Sequence, residues 1–210
     1  MTASDARRAA LETAKAHSQP RDVVVIGASA GGIEALRRLV PLLPASLAAA
    51  IAIAVHLSPT SESLLPQQLG RGSALPVLPA SDNVEFRRGR VYVSVPDRHL
   101  IVRDGVLALT RDATEHFHRP AVDPLFRSAA KAYGARVVGV VLSGAGHDGV
   151  EGAVTIKAAG GLVLAQDPSE ARHPGMPRAA IARGVVDAVL SIDGLAARLR
   201  KLGGGDVTAA

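Results

Sequence analysis

The chain has 210 residues, 48% of them hydrophobic and 2% aromatic, and its formal net charge is +5. This hydrophobic content favours a globular protein over a disordered one, and the length is enough for one sizeable core or at most two small ones. The scarcity of aromatic rings argues against binding of nucleic acid, and the absence of cysteine excludes disulfides and thiolate chemistry. The net positive charge is compatible with an acidic partner, and equally with a surface that is simply rich in arginine.

The first 20 residues lack an apolar signal core, and no run approaches the roughly 18 uninterrupted apolar residues of a membrane span. We therefore expect a cytoplasmic protein without membrane insertion. Residues 1–21 are expected to form a flexible tail.

The next part of the chain alternates buried strands with helices. A β-branched run at residues 23–26 predicts a strand buried on both faces, and a glycine turn then leads into helical spacing over 33–43. A second buried strand is predicted at 50–55, followed by a helix near 61–69 and a short strand at 77–78. Strand, turn and helix in this order form the first half of a βαβ unit.

Residues 91–95, 99–102 and 106–109 look different and predict an antiparallel section, with Asp104-Gly105 as a hairpin turn. Alternation then resumes, with helices predicted at 122–133, 150–159, 177–182 and 192–202 and strands at 137–142, 162–165 and 185–190. The pattern predicts one α/β domain over residues 22–202, with helices on both faces of a doubly wound, mostly parallel sheet and a small antiparallel hairpin insert. Residues 203–210 are expected to be a second flexible tail.

Functional groups of such sheets lie at the carboxyl ends of the strands. Ser29 follows the first strand within Gly-Ala-Ser-Ala-Gly-Gly, a turn that could also bind phosphate or simply pack. His56 follows the second strand, where a histidine is often structural. Asp148 lies in the glycine-rich turn after residue 142, where it could instead cap the following helix.

Together the three strand ends bring Ser29, His56 and Asp148 to one edge of the sheet. A nucleophile, a base and an orienting acid are the components of a serine-hydrolase triad, and the helix N-terminus behind Ser29 offers N–H groups for an oxyanion. We therefore predict a hydrolase of carboxylic esters.

The glycine turn also resembles the fingerprint of a nucleotide-dependent oxidoreductase. Short-chain dehydrogenases need a Tyr-x-x-x-Lys pair, but Tyr92 and Tyr133 are followed four residues later by Pro96 and Val137. The pair His116 and His118 could bind a metal, although no further ligand set is evident. We therefore expect neither a cofactor nor a metal.

Six ordered segments carry a resemblance to a known family. They are IGASAGGIEAL (26–36), VHLSP (55–59), VYVSVPDRHL (91–100), RPAVDPLFRSAA (119–130), LSGAGHDGVEGA (142–153) and LAQDPSEARHPGMPRAAI (164–181). From residue 22 to about 200, the chain resembles the catalytic domain of the chemotaxis receptor methylesterase, CheB.

The resemblance implies hydrolysis of glutamate methyl esters on the cytoplasmic helices of methylated chemoreceptors, with glutamine deamidation as a second activity of many members. By motif position it makes Ser29 the nucleophile, His56 the base and Asp148 the orienting acid. Backbone N–H groups of Ala30 and Ala145 would hold the oxyanion, and Arg178 would line the substrate cleft.

The sequence departs from the family at three turn positions, where Ala30, Ala145 and His147 replace the common Thr, Met and Asn. Because only about 21 residues precede the first strand, we also expect the usual N-terminal receiver domain to be absent. Regulation is therefore expected to come from a separate response regulator or signalling partner, if at all. A catalytically silent CheB-like binding module remains an alternative to the enzyme.

Overall fold

A computed structural model of the chain describes residues 20–60, 63–103 and 105–203. Its main sheet has seven parallel strands: β1 (Val23–Ala28), β2 (Ala50–Val55), β3 (Val77–Pro79), β5 (Arg90–Val93), β8 (Val137–Val141), β9 (Leu162–Gln166) and β10 (Ala188–Leu190). A small antiparallel sheet contains β4 (Val84–Glu85), β6 (His99–Arg103) and β7 (Val106–Thr110). The strand orders are β10-β9-β8-β1-β2-β5-β3 and β4-β7-β6.

Helices cover both faces of the main sheet. One face packs against α1 (Gly32–Leu39), α2 (Leu65–Gly70) and α6 (Ile192–Leu202). The other packs against α3 (Val122–Tyr133), α4 (Val150–Ala158), α5 (Gly175–Ala182) and the small sheet. This is the doubly wound α/β fold with a small antiparallel insert that the sequence predicts.

The apolar run of β1 explains its central position. Val24 and Ile26 belong to the core cluster on one face, and Val23 and Val25 belong to the cluster on the other. A strand covered on both faces needs apolar side chains at every position, which is why its sequence does not alternate.

The structure corrects the assignment of residues 91–95 to the antiparallel section. β5 pairs in parallel with β2 and β3 in the main sheet, and Val91, Tyr92 and Val93 are all buried. The predicted hairpin of β6 and β7 is present, although Asp104 in its turn lies outside the described residues. The third strand of the small sheet, β4, was not predicted because it has only two residues, both exposed.

Several element limits differ from those predicted. The first helix ends at Leu39 and continues as a 3₁₀ turn, Val40–Leu42, because Pro41 lacks the N–H that α-helical bonding needs. The predicted helix 61–69 begins only at Leu65, and residues 61 and 62 lie outside the described part.

The tails predicted at 1–21 and 203–210 fall almost entirely outside the described residues, and the domain limits 22–202 remain a prediction. Across the described ranges, no helix combines the length and apolar character needed to cross a bilayer.

The strand order creates a switch point at β1. The chain proceeds from β1 to β2 on one side, whereas β8 pairs with β1 on the other. Ligand sites of open α/β sheets lie in the crevice beyond the carboxyl ends of strands at such a point.

Candidate active site

Three strand ends meet at this crevice. Ser29 follows β1 directly and His56 follows β2 directly, and the pairing of Ala28 with Val55 places the two strand ends side by side. Asp148 lies in the turn between β8 and α4, on the other side of β1. The structure therefore brings together the three residues singled out from the sequence.

The three side chains form a continuous chain of hydrogen bonds. Ser29 Oγ lies 2.9 Å from His56 Nδ1, and His56 Nε2 lies 2.6 Å from Asp148 Oδ2. Because an ionised carboxylate can only accept, Nε2 carries the proton toward Asp148, and Nδ1 is left to accept from the serine hydroxyl. In the serine-protease triad the arrangement is reversed: Nε2 faces the serine and Nδ1 faces the aspartate. In both arrangements the histidine can take the proton of the serine hydroxyl while the carboxylate holds its other ring nitrogen.

Asp148 is held as an anion by its donors. Burial raises the pKa of this carboxyl, but hydrogen bonds from His56 and from the backbone N–H groups of Val122 and Asp123 outweigh burial and lower the pKa below its usual value. Those two N–H groups belong to the first turn of α3, where they have no partner within the helix. Asp148 therefore caps α3, which is distant in sequence, rather than the following helix α4.

The two glycine turns of the site are fastened to each other. The N–H of Ser29 donates to the carbonyl oxygen of Ser143 at 3.0 Å, and Ser143 Oγ donates to the carbonyl oxygen of Ala30 at 2.8 Å. Gly144 permits this approach, because a Cβ there would lie 2.0 Å from Met176 Sδ and 3.0 Å from Ser29 Cβ. Ser29 is thus fixed relative to the turn that carries Asp148.

The remaining predicted site residues are less tightly placed. Within residues 20–60, 63–103 and 105–203, no protein acceptor takes the backbone N–H of Ala30 or of Ala145, and their role as oxyanion donors remains a prediction. Arg178 is exposed on α5, and in these same ranges it makes no hydrogen bond or ion pair with Ser29, His56 or Asp148. Its place in a substrate cleft remains a prediction.

A second histidine–aspartate pair lies beside the first. His116 Nε2 is 2.9 Å from Asp123 Oδ2 and 3.9 Å from Asp148 Oδ1. Burial raises the pKa of Asp123, and the hydrogen bonds from Gly152 N–H and His116 offset only part of that effect. The His147 ring meets that of His116 edge-on, with centroids 4.7 Å apart.

His118 covers the other side of the site. Its ring stacks on that of His56 with centroids 3.6 Å apart, and burial, followed by the nearby His56, lowers the pKa of His118. Sequence reasoning considered His116 and His118 only as a metal pair and missed both contacts. Asp123 lies in the segment 119–130, in the first turn of a helix, but no local pattern in the sequence links it to His116.

The cluster of His116, Asp123 and Asp148 also has the composition of a metal site. One donor atom from each residue lies within 4.8 Å of the other two. These atoms are engaged in hydrogen bonds with His56, with one another and with backbone N–H groups, which satisfy the two buried carboxylates without an ion.

A surface groove of about 410 Å³ leads to His56. Leu57, Pro59, Phe117, His118 and Arg119 are among the residues that line it. The groove connects the largely buried His56 with solvent.

Comparison with known proteins identifies the family of this chain. The family model described as CheB methylesterase matches residues 24–199. In the solved structures, the Thermotoga maritima CheB methylesterase catalytic domain superposes with a TM-score of 0.83 at 34% identity, covering 86% of this chain and 98% of that one.

Curated relatives bear the name protein-glutamate methylesterase/protein-glutamine glutaminase. One from Anaeromyxobacter dehalogenans is 43% identical over 197 residues (92% of this chain, 58% of that protein), and one from Paramagnetospirillum magneticum is 39% identical over 189 residues (88% and 50%). A putative relative from Leptospira interrogans is 36% identical over 176 residues, which is 83% of this chain and 91% of that protein. The chain spans between half and three-fifths of the length of the first two relatives. On the extent of the family match, the chain belongs to the CheB methylesterase family.

Proposed function

We propose that the chain is a protein-glutamate methylesterase that hydrolyses methyl esters of glutamate side chains on chemoreceptors. The observation that carries the proposal is the hydrogen-bonded chain from Ser29 through His56 to Asp148, at the strand ends of a CheB-family domain. A chemoreceptor substrate implies a cytoplasmic location for the enzyme, and a separate signalling partner would regulate it.

In the proposed reaction, Ser29 Oγ attacks the ester carbonyl carbon while His56 Nδ1 takes the hydroxyl proton. The backbone N–H groups of Ala30 and Ala145 stabilise the oxyanion of the tetrahedral intermediate. The intermediate collapses to an ester between the glutamate acyl group and Ser29, and the methoxide leaves as methanol with the proton from His56. Water, deprotonated by the same nitrogen, then attacks the acyl carbon of this ester. The bond from that carbon to Ser29 Oγ breaks, His56 returns its proton to Oγ, and the glutamate leaves as the acid, which ionises to the carboxylate.

Asp148 has an electrostatic and orienting role in this scheme. Its ionised carboxylate fixes the ring of His56 and stabilises the positive charge that the ring gains in each step. A glutamine side chain can follow the same route with ammonia as the leaving group, which is the proposed second activity.

The test measures methanol released from a methylated chemoreceptor by the wild-type chain and by Ser29→Ala. We expect the variant to lose about 10⁴-fold or more in kcat, because no other group replaces the nucleophile. Ser46→Ala, at an exposed serine, is the matched control and should retain wild-type rates.

Two outcomes would contradict the proposal. If the wild type releases no methanol above background, the methylesterase activity is wrong and a catalytically silent receptor-binding module becomes the better account. If Ser29→Ala matches the wild type, the nucleophile is wrong. The oxidoreductase alternative gains no support from the family match.

A further inference from the structure

Phe117 has an unusual position for an aromatic side chain. It is 99% exposed, whereas the other two phenylalanines of the chain, Phe86 and Phe126, are buried in the core at 7% and 0% exposure. An aromatic ring this exposed contributes nothing to the core, so a contact outside the chain is the natural use for it.

The backbone that carries Phe117 is equally unusual. Glu115 and His118 exchange two backbone hydrogen bonds of 3.1 and 2.8 Å across a two-residue turn. The central residues, His116 and Phe117, have φ angles of 50° and 66°, the pattern of a type I′ turn. Such turns favour Asn and Gly, and a left-handed conformation is unfavourable for a bulky residue. The turn therefore keeps an aromatic ring at a position where local structure disfavours one.

Side chains on either side of Phe117 hold the turn in place. Glu115 pairs with Arg127 of α3 at 2.5 Å, and His116 bonds to Asp123 at 2.9 Å. His118 stacks on the catalytic base His56. Phe117 is thus projected from a rigid support, and a rigid anchor loses little conformational entropy when it binds.

Phe117 lies where a large substrate would pass on its way to the active site. The ring lines the groove that leads to His56, together with His118 and Arg119. The ring is exposed, whereas His56, the partner of Ser29, is largely buried at the same groove. An exposed ring here is placed to contact parts of the substrate beyond the ester.

The charge beside Phe117 is positive. Three arginines contact the single carboxylate of Asp97, namely Arg98 at 3.4 Å, Arg111 at 3.5 Å and Arg119 at 2.6 Å. Asp112, whose backbone carbonyl oxygen accepts from Arg119, adds a second carboxylate, so three positive charges against two negative charges leave a small positive excess at this rim. Aromatic residues and arginine are the types enriched at protein interfaces.

We propose that Phe117 is a docking anchor for the protein substrate, with the arginines around Asp97 as its electrostatic complement. Its partner is the surface of a receptor helix that combines apolar side chains with glutamate carboxylates, the group that demethylation itself produces. This inference rests on the proposed function for the choice of partner, and it adds a specificity-determining residue outside the triad.

The test uses Phe117→Asn, because Asn accepts the left-handed conformation and preserves the turn while removing the ring. Binding to a purified, methylated cytoplasmic fragment of a chemoreceptor is measured in the Ser29→Ala background, which prevents turnover. We expect Kd to rise at least tenfold with Phe117→Asn and less than threefold with Phe117→Tyr. Val189→Thr, at an exposed apolar residue on β10, should change Kd less than twofold.

Two further measurements separate docking from folding and from catalysis. The midpoint of thermal unfolding of Phe117→Asn should equal or exceed that of its parent, because the turn becomes less strained. In chains that retain Ser29, kcat/KM for methanol release should fall in the same proportion as the affinity.

The docking proposal is overturned if the parent does not bind the fragment, or if Phe117→Asn binds within twofold of it. Tight binding that depends on Phe117, without methanol release by the wild type, would leave docking standing and refute the methylesterase activity. If the wild type releases methanol and Phe117→Asn has an unchanged kcat/KM, the methylesterase activity stands and docking through Phe117 is refuted.

Discussion

Two histidine–aspartate pairs lie side by side at the carboxyl edge of the sheet. In one pair His56 Nε2 is 2.6 Å from Asp148, and in the other His116 Nε2 is 2.9 Å from Asp123. Both carboxylates are almost fully buried, at 2% and 1% exposure. Residue types, distances and burial are therefore nearly the same, and yet the pKa of Asp148 is lowered whereas that of Asp123 is raised.

The difference comes from the donors around each carboxylate. Asp148 accepts two N–H groups from the first turn of α3 in addition to its histidine, whereas Asp123 accepts one, from Gly152. Burial penalises the ionised form of both, and only at Asp148 do the hydrogen bonds outweigh it. The backbone donors, together with the charge of Asp148, which raises the pKa of Asp123, therefore shift the two carboxyl pKa values in opposite directions.

The largest effect is expected when Asp148 is replaced by Asn. The Asn amide can donate to the His56 ring, which favours the tautomer in which Nδ1 carries the proton and cannot take one from Ser29. We expect kcat for methanol release from methylated receptor to fall about 10⁴-fold with little change in KM. Steady-state kinetics on the purified variant measure both constants.

Asp193→Asn, at an exposed carboxylate on α6, is the matched control for Asp148→Asn and should retain wild-type kcat. A loss of less than tenfold in Asp148→Asn would mean that His56 works without its carboxylate. The contrast between the two pairs would then have no catalytic meaning.

Much of the fold follows from local patterns in the sequence. Val24 and Ile26 face one core cluster and Val23 faces the other, so an unbroken apolar run predicted a central parallel strand. The strand at Val91 has a similar run, but nearby hairpin signals suggested antiparallel pairing. Which strand pairs with which depends on contacts distant in sequence, and the neighbours of β5, which are β2 and β3, could not be inferred from its own residues.

The residues of the candidate site also fall into two groups, those that the sequence predicted and those that it did not. Ser29, His56 and Asp148 each directly follow or closely succeed a buried strand, so the topology of parallel sheets was enough to bring them to one edge. His116 bonds to Asp123 from a turn in which residues 116 and 117 adopt positive φ angles. Neither residue is a typical turn former, so nothing in the local sequence predicted this turn or the second pair.

A smaller effect is expected from Asp123→Asn. The variant keeps an oxygen for the N–H of Gly152, which lies 2.6 Å from Asp123 Oδ1, but it places an amide group opposite His116 Nε2. We expect kcat to fall less than tenfold and the free energy of unfolding to fall by about 1–2 kcal/mol. Kinetics and urea unfolding measure the two effects. A loss in kcat as large as that of Asp148→Asn would show that the pairs act as one catalytic unit.

The smallest effect, and the most direct test of the contrast, is the pH dependence of stability. The folded-state pKa of Asp148 lies below its unfolded value of about 3.9, so its ionised form contributes stability above that value and loses it as the pH falls through the folded pKa. The pKa of Asp123 is raised instead, so its contribution is greatest in acid and declines as the pH rises from about 3.9 through the folded pKa. Each slope is at most about 1.4 kcal/mol per pH unit for one proton. We expect urea unfolding to show that Asp148→Asn removes a rise of stability with pH below about pH 3.9, whereas Asp123→Asn removes a decline above about pH 3.9. Slopes that change in the same direction in both variants would mean that the two carboxylates, with His56 and His116 between them, titrate as one group.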